Sequence, residues 1–180
     1  YIDFRHEFSL DEIDAGAELL ISADSNYAVW INGGFVACGQ YSDYPGHKTC
    51  DRLPIAEHLR AGGNELSVRV HYQGVDSFQY IAGPPGLIFE VRCGHHRQAS
   101  GSATKWRYAA GYRQGEMPRI TSQLGFTFEY DARRQPASWR PVGADGLRGR
   151  AAARGSRPRP VQRTQVLPRI PVTLRAQGIV

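Results

Sequence analysis

An all-β fold, an antiparallel jelly-roll β-sandwich, is what this sequence predicts over residues 1–132. Three observations carry that reading. Short stretches alternate apolar and polar residues at period two, the mark of half-buried strands. Gly (20) and Pro (11) punctuate the chain at turn spacing, which suits a sandwich better than a helical bundle. An Asn-Gly pair at Asn32-Gly33, flanked by apolar residues, is a strong hairpin signal. Residues 133–180 lose the alternation and read as an extended Arg/Pro-rich tail.

The elements follow in order. Ala17–Ala23 is an apolar run closed by the turn cluster Asp24-Ser25-Asn26. Tyr27–Ile31, the Asn32-Gly33 turn and Phe35–Cys38 complete a meander. A polar, aromatic-rich loop covers residues 39–48. Asp51 as a cap, Pro54 in the first turn and Gly62-Gly63 as the stop predict a short helix between them. Leu66–Tyr72 is the cleanest strand, with Leu66, Val68, Val70 and Tyr72 on one face and Ser67, Arg69 and His71 on the other. A second aromatic loop, residues 74–86, contains Asp76, Phe78 and Tyr80. Leu87–Val91, Thr104–Tyr108 and Phe126–Asp131 supply the remaining strands.

Charge divides the chain. Residues 1–132 carry a net −5, whereas residues 133–180 carry eleven Arg against the single acid Asp145. Those arginines interleave with proline, as in Arg157-Pro158-Arg159-Pro160, and bring no aromatic platform for bases. No nucleic-acid partner is therefore expected; the tail reads as a connector to a further domain. No run of about 18 apolar residues is present, so no membrane span is expected. Tyr1 opens no basic-then-apolar leader, and the chain reads as a piece of a longer polypeptide. Three cysteines (Cys38, Cys50, Cys93) at irregular spacing point to a reducing compartment, and a cytoplasmic location is expected.

No catalytic motif stands out. Cys93-Gly94-His95-His96 lacks the second ligand pair that a closed zinc site needs. Asp24, Asn26 and Asp43 supply too few oxygens for a calcium site, so no cofactor is expected. The candidate site lies in the two aromatic loops: Tyr41, Asp43, Tyr44 and His47 in one, Asp76 and Tyr80 in the other. Aromatic faces stack on the C–H face of a sugar while His and Asp bond its hydroxyls. The competing reading, that these loops close the end of the sandwich or dock on another domain, has more weight. A catalytic pairing of Asp43 with Asp76 ranks last.

Several segments resemble a known family. Ile21–Asp24 with Tyr27–Gly33 is similar to the first hairpin of the galactose-binding-like jelly rolls that precede glycosidase catalytic domains. Gly39–Pro45, His47–Thr49, Gly63–Leu66, Val70–Gly74 and Gly86–Glu90 resemble the N-terminal region of bacterial alpha-L-rhamnosidase-like glycoside hydrolases. Ile120–Phe126 and Pro168–Pro171 are similar to its closing segment and connector. The resemblance implies a non-catalytic accessory module for interdomain packing and carbohydrate contact, partnered by a downstream catalytic barrel in the same polypeptide and contacting a rhamnose-containing glycan. It implies no catalytic residue in this chain. A free-standing carbohydrate-binding module is the alternative, and a small hydrolase the third.

Overall fold

Period-two alternation builds two facing sheets. The computed structural model describes residues 1–39 and 48–143, together with the backbone of 157–159. In chain order the strands are β1 (Ile2–Leu10), β2 (Glu18–Asp24), β3 (Asn26–Ile31), β4 (Gly34–Gly39), β5 (Thr49–Pro54), β6 (Gly62–His71), β7 (Gly86–Cys93), β8 (His96–Ala99) and β9 (Lys105–Tyr108). Shorter pieces follow: β10 (Arg119–Thr121), β11 (Gly125–Phe126), β12 (Arg140–Pro141) and β13 (Arg157–Arg159). One sheet runs β12-β9-β1-β6-β3-β4 and the other β13-β5-β2-β7-β8, with β10–β11 a separate hairpin. Among the described residues every pairing is antiparallel except β13 on β5. The fold is the antiparallel β-sandwich that the alternation implies.

Inward-facing residues of both sheets fill the gap. Leu19, Ile21 and Ala23 of β2 and Phe89, Val91 and Cys93 of β7 meet Tyr27, Val29 and Ile31 of β3 and Leu66, Val68 and Val70 of β6. Burying one such aliphatic or Phe side chain stabilises by about 1.5–3 kcal/mol. Strand β6 sits between β1 and β3, which is why its alternation is the cleanest in the chain. The Asn32-Gly33 turn has φ of 52° and 79°, the left-handed pair that a tight hairpin demands. Asn32 also ties this turn to its neighbours: Nδ2 donates to the His58 carbonyl and to Asn64 Oδ1, each at 2.9 Å, and Oδ1 accepts from the Glu65 amide.

Three segments differ from the sequence reading. No helix begins at Asp51. Leu53 and Ile55 alternate inward with Asp51, so β5 pairs with β2, and only a 3₁₀ turn at Ala56–His58 follows. Gly62 begins β6, with φ of 84°, and stops no helix. Strand β1 has no counterpart among the strands expected from the sequence. Its inward row includes a polar residue, His6, and its outward row is the charged set Asp3, Arg5, Glu7. Finally, Phe126–Asp131 is mostly irregular: Phe128 and Tyr130 are exposed, and Tyr130 makes only an isolated bridge to Tyr112. Pairing also continues past residue 132, since β12 joins β9 and β13 lies along β5.

His6 is buried beside Thr104 Oγ1, 3.1 Å from its Nδ1, with the Phe89 ring edge-on at 5.3 Å. Burial lowers its pKa below 6.5, and Gln98, outside hydrogen-bond geometry for Nε2, opposes this more weakly. Below pH 6.5 the unfolded chain therefore binds more protons than the native one, and stability falls as pH falls through that value. Above about pH 7.5 both states hold a neutral ring and the effect vanishes. Thermal melts between pH 7.5 and 5.5 should show this loss, with a shallower slope in His6→Gln; an identical slope in the variant would mean the ring titrates freely. Val70→Asp places an unpaired charge on the core face of β6, one residue before its end, and should cost upwards of about 3 kcal/mol. A melting temperature close to that of the parent would mean that the other face of β6 is the buried one.

Candidate functional site

Where the chain crosses from one sheet to the other, between β2 and β3, it must bury polar backbone or find partners for it. Ser25 is that corner. Its amide donates to the His71 carbonyl at 2.9 Å, and its hydroxyl accepts from the Gln73 amide at 3.0 Å. The preceding residue, Asp24, lies opposite Gly86 at the start of β7. The corner thus sits between the two ends of the 72–85 connection. Asp24 is only 4% exposed, and a carboxylate so far from water needs donors.

It has three. Lys48 Nζ donates to Oδ2 at 2.7 Å, and the Tyr80 hydroxyl and, at 3.3 Å, the Ser25 hydroxyl donate to Oδ1. Burial, reinforced by the Asp24 contact, pushes the Tyr80 pKa up, keeping that hydroxyl a donor. Lys48 ends the first aromatic loop and Tyr80 lies in the second. One residue from each loop named from the sequence, Lys48 and Tyr80, is therefore anchored on the same buried carboxylate. Alongside, Tyr27 donates its hydroxyl to buried Asp51 Oδ2 at 2.6 Å. A Cβ at Gly39 would stand 2.7 Å from that same oxygen, so the strand entering the first loop has to carry glycine there.

Of the sequence-derived site residues, Tyr41, Asp43, Tyr44 and His47 lie outside the described residues. Tyr80 is buried, its hydroxyl given to Asp24. Asp76 lies on the surface of its loop, Oδ1 accepting from the Ala82 amide at 2.8 Å, while its carbonyl accepts from Arg119 Nη2 at 2.9 Å. Phe78 projects from the same loop, 78% exposed. Asp24 and Lys48 are the residues that organise this end. Their role follows from the β2–β3 crossover and from burial, and no local motif announces it.

Other polar clusters have ordinary partners. Cys93 is buried, with the Asp14 amide directed at its sulfur; Gly94 and His95 form the β7–β8 turn, and His96 faces Asp11. Among the described residues no group of three His, Cys, Asp or Glu could hold a metal ion, and no helix is long and apolar enough to cross a membrane. All three cysteines are free thiols. Asp24→Asn should cost about 1–3 kcal/mol, since the amide cannot accept from all these donors. It should also speed amide hydrogen exchange in residues 73–82, which Tyr80 tethers. Unchanged protection there would show that the loop holds itself.

No protein-family model and no curated protein sequence matches the chain. Solved structures do. The GH78 family rhamnosidase of Bacillus sp. GL1 is 28% identical, with a TM-score of 0.72 over 88% of this chain and 18% of that one. The alpha-L-rhamnosidases of Aspergillus terreus (23% identity, TM-score 0.54, 79% of this chain and 18% of that) and Dictyoglumus thermophilum (19%, 0.56, 74% and 15%) share the fold. The chain spans less than a fifth of the length of each of these rhamnosidases.

Proposed function

We infer that this chain is a non-catalytic accessory β-sandwich of a larger glycoside hydrolase of the alpha-L-rhamnosidase type. In this reading it packs against a downstream catalytic domain of the same polypeptide and meets a rhamnose-containing glycan through residues 40–48 and 73–82. The carrying observation is the match to the Bacillus sp. GL1 rhamnosidase, which takes in 88% of this chain but only 18% of that enzyme. A region of that share is one module among several.

The surface supports a packing role. Phe78, Ile81 and Val75 stand exposed on the 72–85 connection, and Ile120, Leu124, Phe128 and Tyr130 on the β10–β11 region. The Arg119–Asp76 hydrogen bond joins these two segments. Exposed apolar groups on two segments joined in this way are suited to packing against a further domain. The free-standing carbohydrate-binding module remains the second reading, favoured by Phe78, whose ring is open to a sugar face. A hydrolase built on Asp43 and Asp76 is disfavoured by Asp76, which is engaged in closing its own loop.

Two measurements test this. The 180-residue chain should not hydrolyse an aryl α-L-rhamnoside, whereas a longer version carrying the polypeptide beyond Val180 should. Robust turnover by the short chain, lost on Asp43→Asn, would move the assignment to a hydrolase. In an NMR titration, tens of millimolar L-rhamnose should shift amides within 40–48 or 73–82, the concentration suited to a weak, shallow site. Silence in both loops would leave packing as the sole role.

A further inference from the structure

On the outer face of the six-stranded sheet, away from the core, a cleft of about 240 Å³ lies over β9, β1, β6 and β3. Its floor is a rung of three directly opposed residues, Arg107, Asp3 and Arg69. Arg69 grips Asp3 with both arms, Nε to Oδ1 at 2.7 Å and Nη2 to Oδ2 at 3.2 Å. Arg107 comes no closer to that carboxylate than 3.7 Å, and its Nε is buried without a hydrogen-bond partner. The Trp139 ring holds the guanidinium in place at 4.1 Å. Ser67 and Trp30, opposed one level along the sheet, add to the lining. The edge-on Phe35 ring, 6.0 Å away, braces Trp30.

Charge on this face does not balance at the cleft. Two guanidiniums share the one carboxylate of Asp3. The other acids nearby are already taken: Glu65 by Arg5 at 2.7 Å, and Glu7 by Arg5 at 2.6 Å and Lys105 at 3.4 Å. Among the described residues Arg107 is left with no hydrogen-bond acceptor. Its Nε is buried, but a guanidinium fixed by an indole and an ion pair, with no acceptor on either Nη among the described residues, is arranged to take a carboxylate end-on. Trp30 offers a half-buried apolar ring surface of the sort that covers the C–H face of a sugar. The volume falls below the roughly 300–1,000 Å³ of pockets for drug-sized ligands and suits a single ring.

We propose that this cleft binds an acidic sugar residue of the uronate class, its carboxylate on Arg107 and its ring against Trp30. A neutral sugar would leave Arg107 unmatched while covering it, an uncompensated desolvation. A polyanion such as nucleic acid would need a stripe of unpaired cations, whereas Arg5 and Lys105 on this face are already paired with Glu65 and Glu7. None of its lining residues belongs to either aromatic loop, and the proposal does not depend on their assignment.

The test uses the 180-residue chain with methyl β-D-glucuronide, methyl β-D-glucoside and acetate as probes, read on the indole N–H signals of Trp30 and Trp139. The glucuronide should bind saturably with a Kd of about 1 mM, within the range for a small partly exposed site. The glucoside should be at least ten-fold weaker, and acetate should leave the indole signals unmoved. Arg107→Gln should weaken glucuronide binding ten-fold or more; Lys105→Gln, which removes the same charge from the neighbouring level, should not. Trp139→Ala, a surface change, should weaken binding as well and guards against a folding defect in the Arg107 variant. Equal binding of glucoside and glucuronide, indole shifts with acetate alone, or unaltered affinity in both Arg107→Gln and Trp139→Ala would each overturn the proposal. So would unmoved indole signals at about 20 mM glucuronide, many times the expected Kd.

Discussion

Asp24 is a carboxylate taken out of water at the point where the chain passes from one sheet to the other, and that end of the molecule is arranged around it. An isolated buried carboxylate costs several kcal/mol, and only good donors offset the loss. The donors here come from three separate places: Ser25 at the corner, Lys48 ahead of β5, and Tyr80 in the 72–85 connection. Satisfying one charge therefore ties Lys48 and the 72–85 connection to the same corner. The same logic runs one step further along with Asp51, which takes the Tyr27 hydroxyl and demands a glycine at position 39.

The outer face of the six-stranded sheet follows a different rule. There charge is exchanged between neighbouring strands rather than removed from water, with Arg5 between Glu7 and Glu65 and Lys105 reaching Glu7. Such exposed pairs each add little to stability. Their arrangement does oppose a slipped register, because like charges would then face each other across strands. Balance holds along this ladder until the level of Asp3, where two arginines meet one acid.

The strands with plain alternation are legible from sequence alone: β2, β3, β6 and β7 each put three apolar residues inward, and Asn32-Gly33 names its own turn. Strand β1 is not, because His6 breaks the apolar row and its partner, Thr104, is nearly a hundred residues away. Strand β5 looks like a helix for a related reason. Asp51 beside Pro54 imitates a helix start, and only the distant Tyr27 hydroxyl makes a buried aspartate acceptable there. Residue type alone places Tyr80 among the site residues, whereas its hydroxyl goes inward to Asp24. What local pattern cannot supply is the partner of a buried polar group, and that partner decides whether such a residue faces solvent or the core.

Strand β6 connects these regions through register. Arg69 faces outward to Asp3 and lies 5.2 Å from the Tyr112 ring, Val70 faces the core, and the His71 carbonyl receives the Ser25 amide. Three successive residues thus serve the outer cleft, the apolar core and the crossover corner. A slip of one residue would turn Arg69 into the core and Val70 to solvent, and would withdraw the carbonyl that the corner requires. The core fixes that register most strongly, since it alone carries the free energy of burying Leu66, Val68 and Val70 together. Both candidate recognition surfaces are therefore consequences of a single hydrophobic alignment: changes to their own side chains can alter what they bind while the strand that positions them stays where the core holds it.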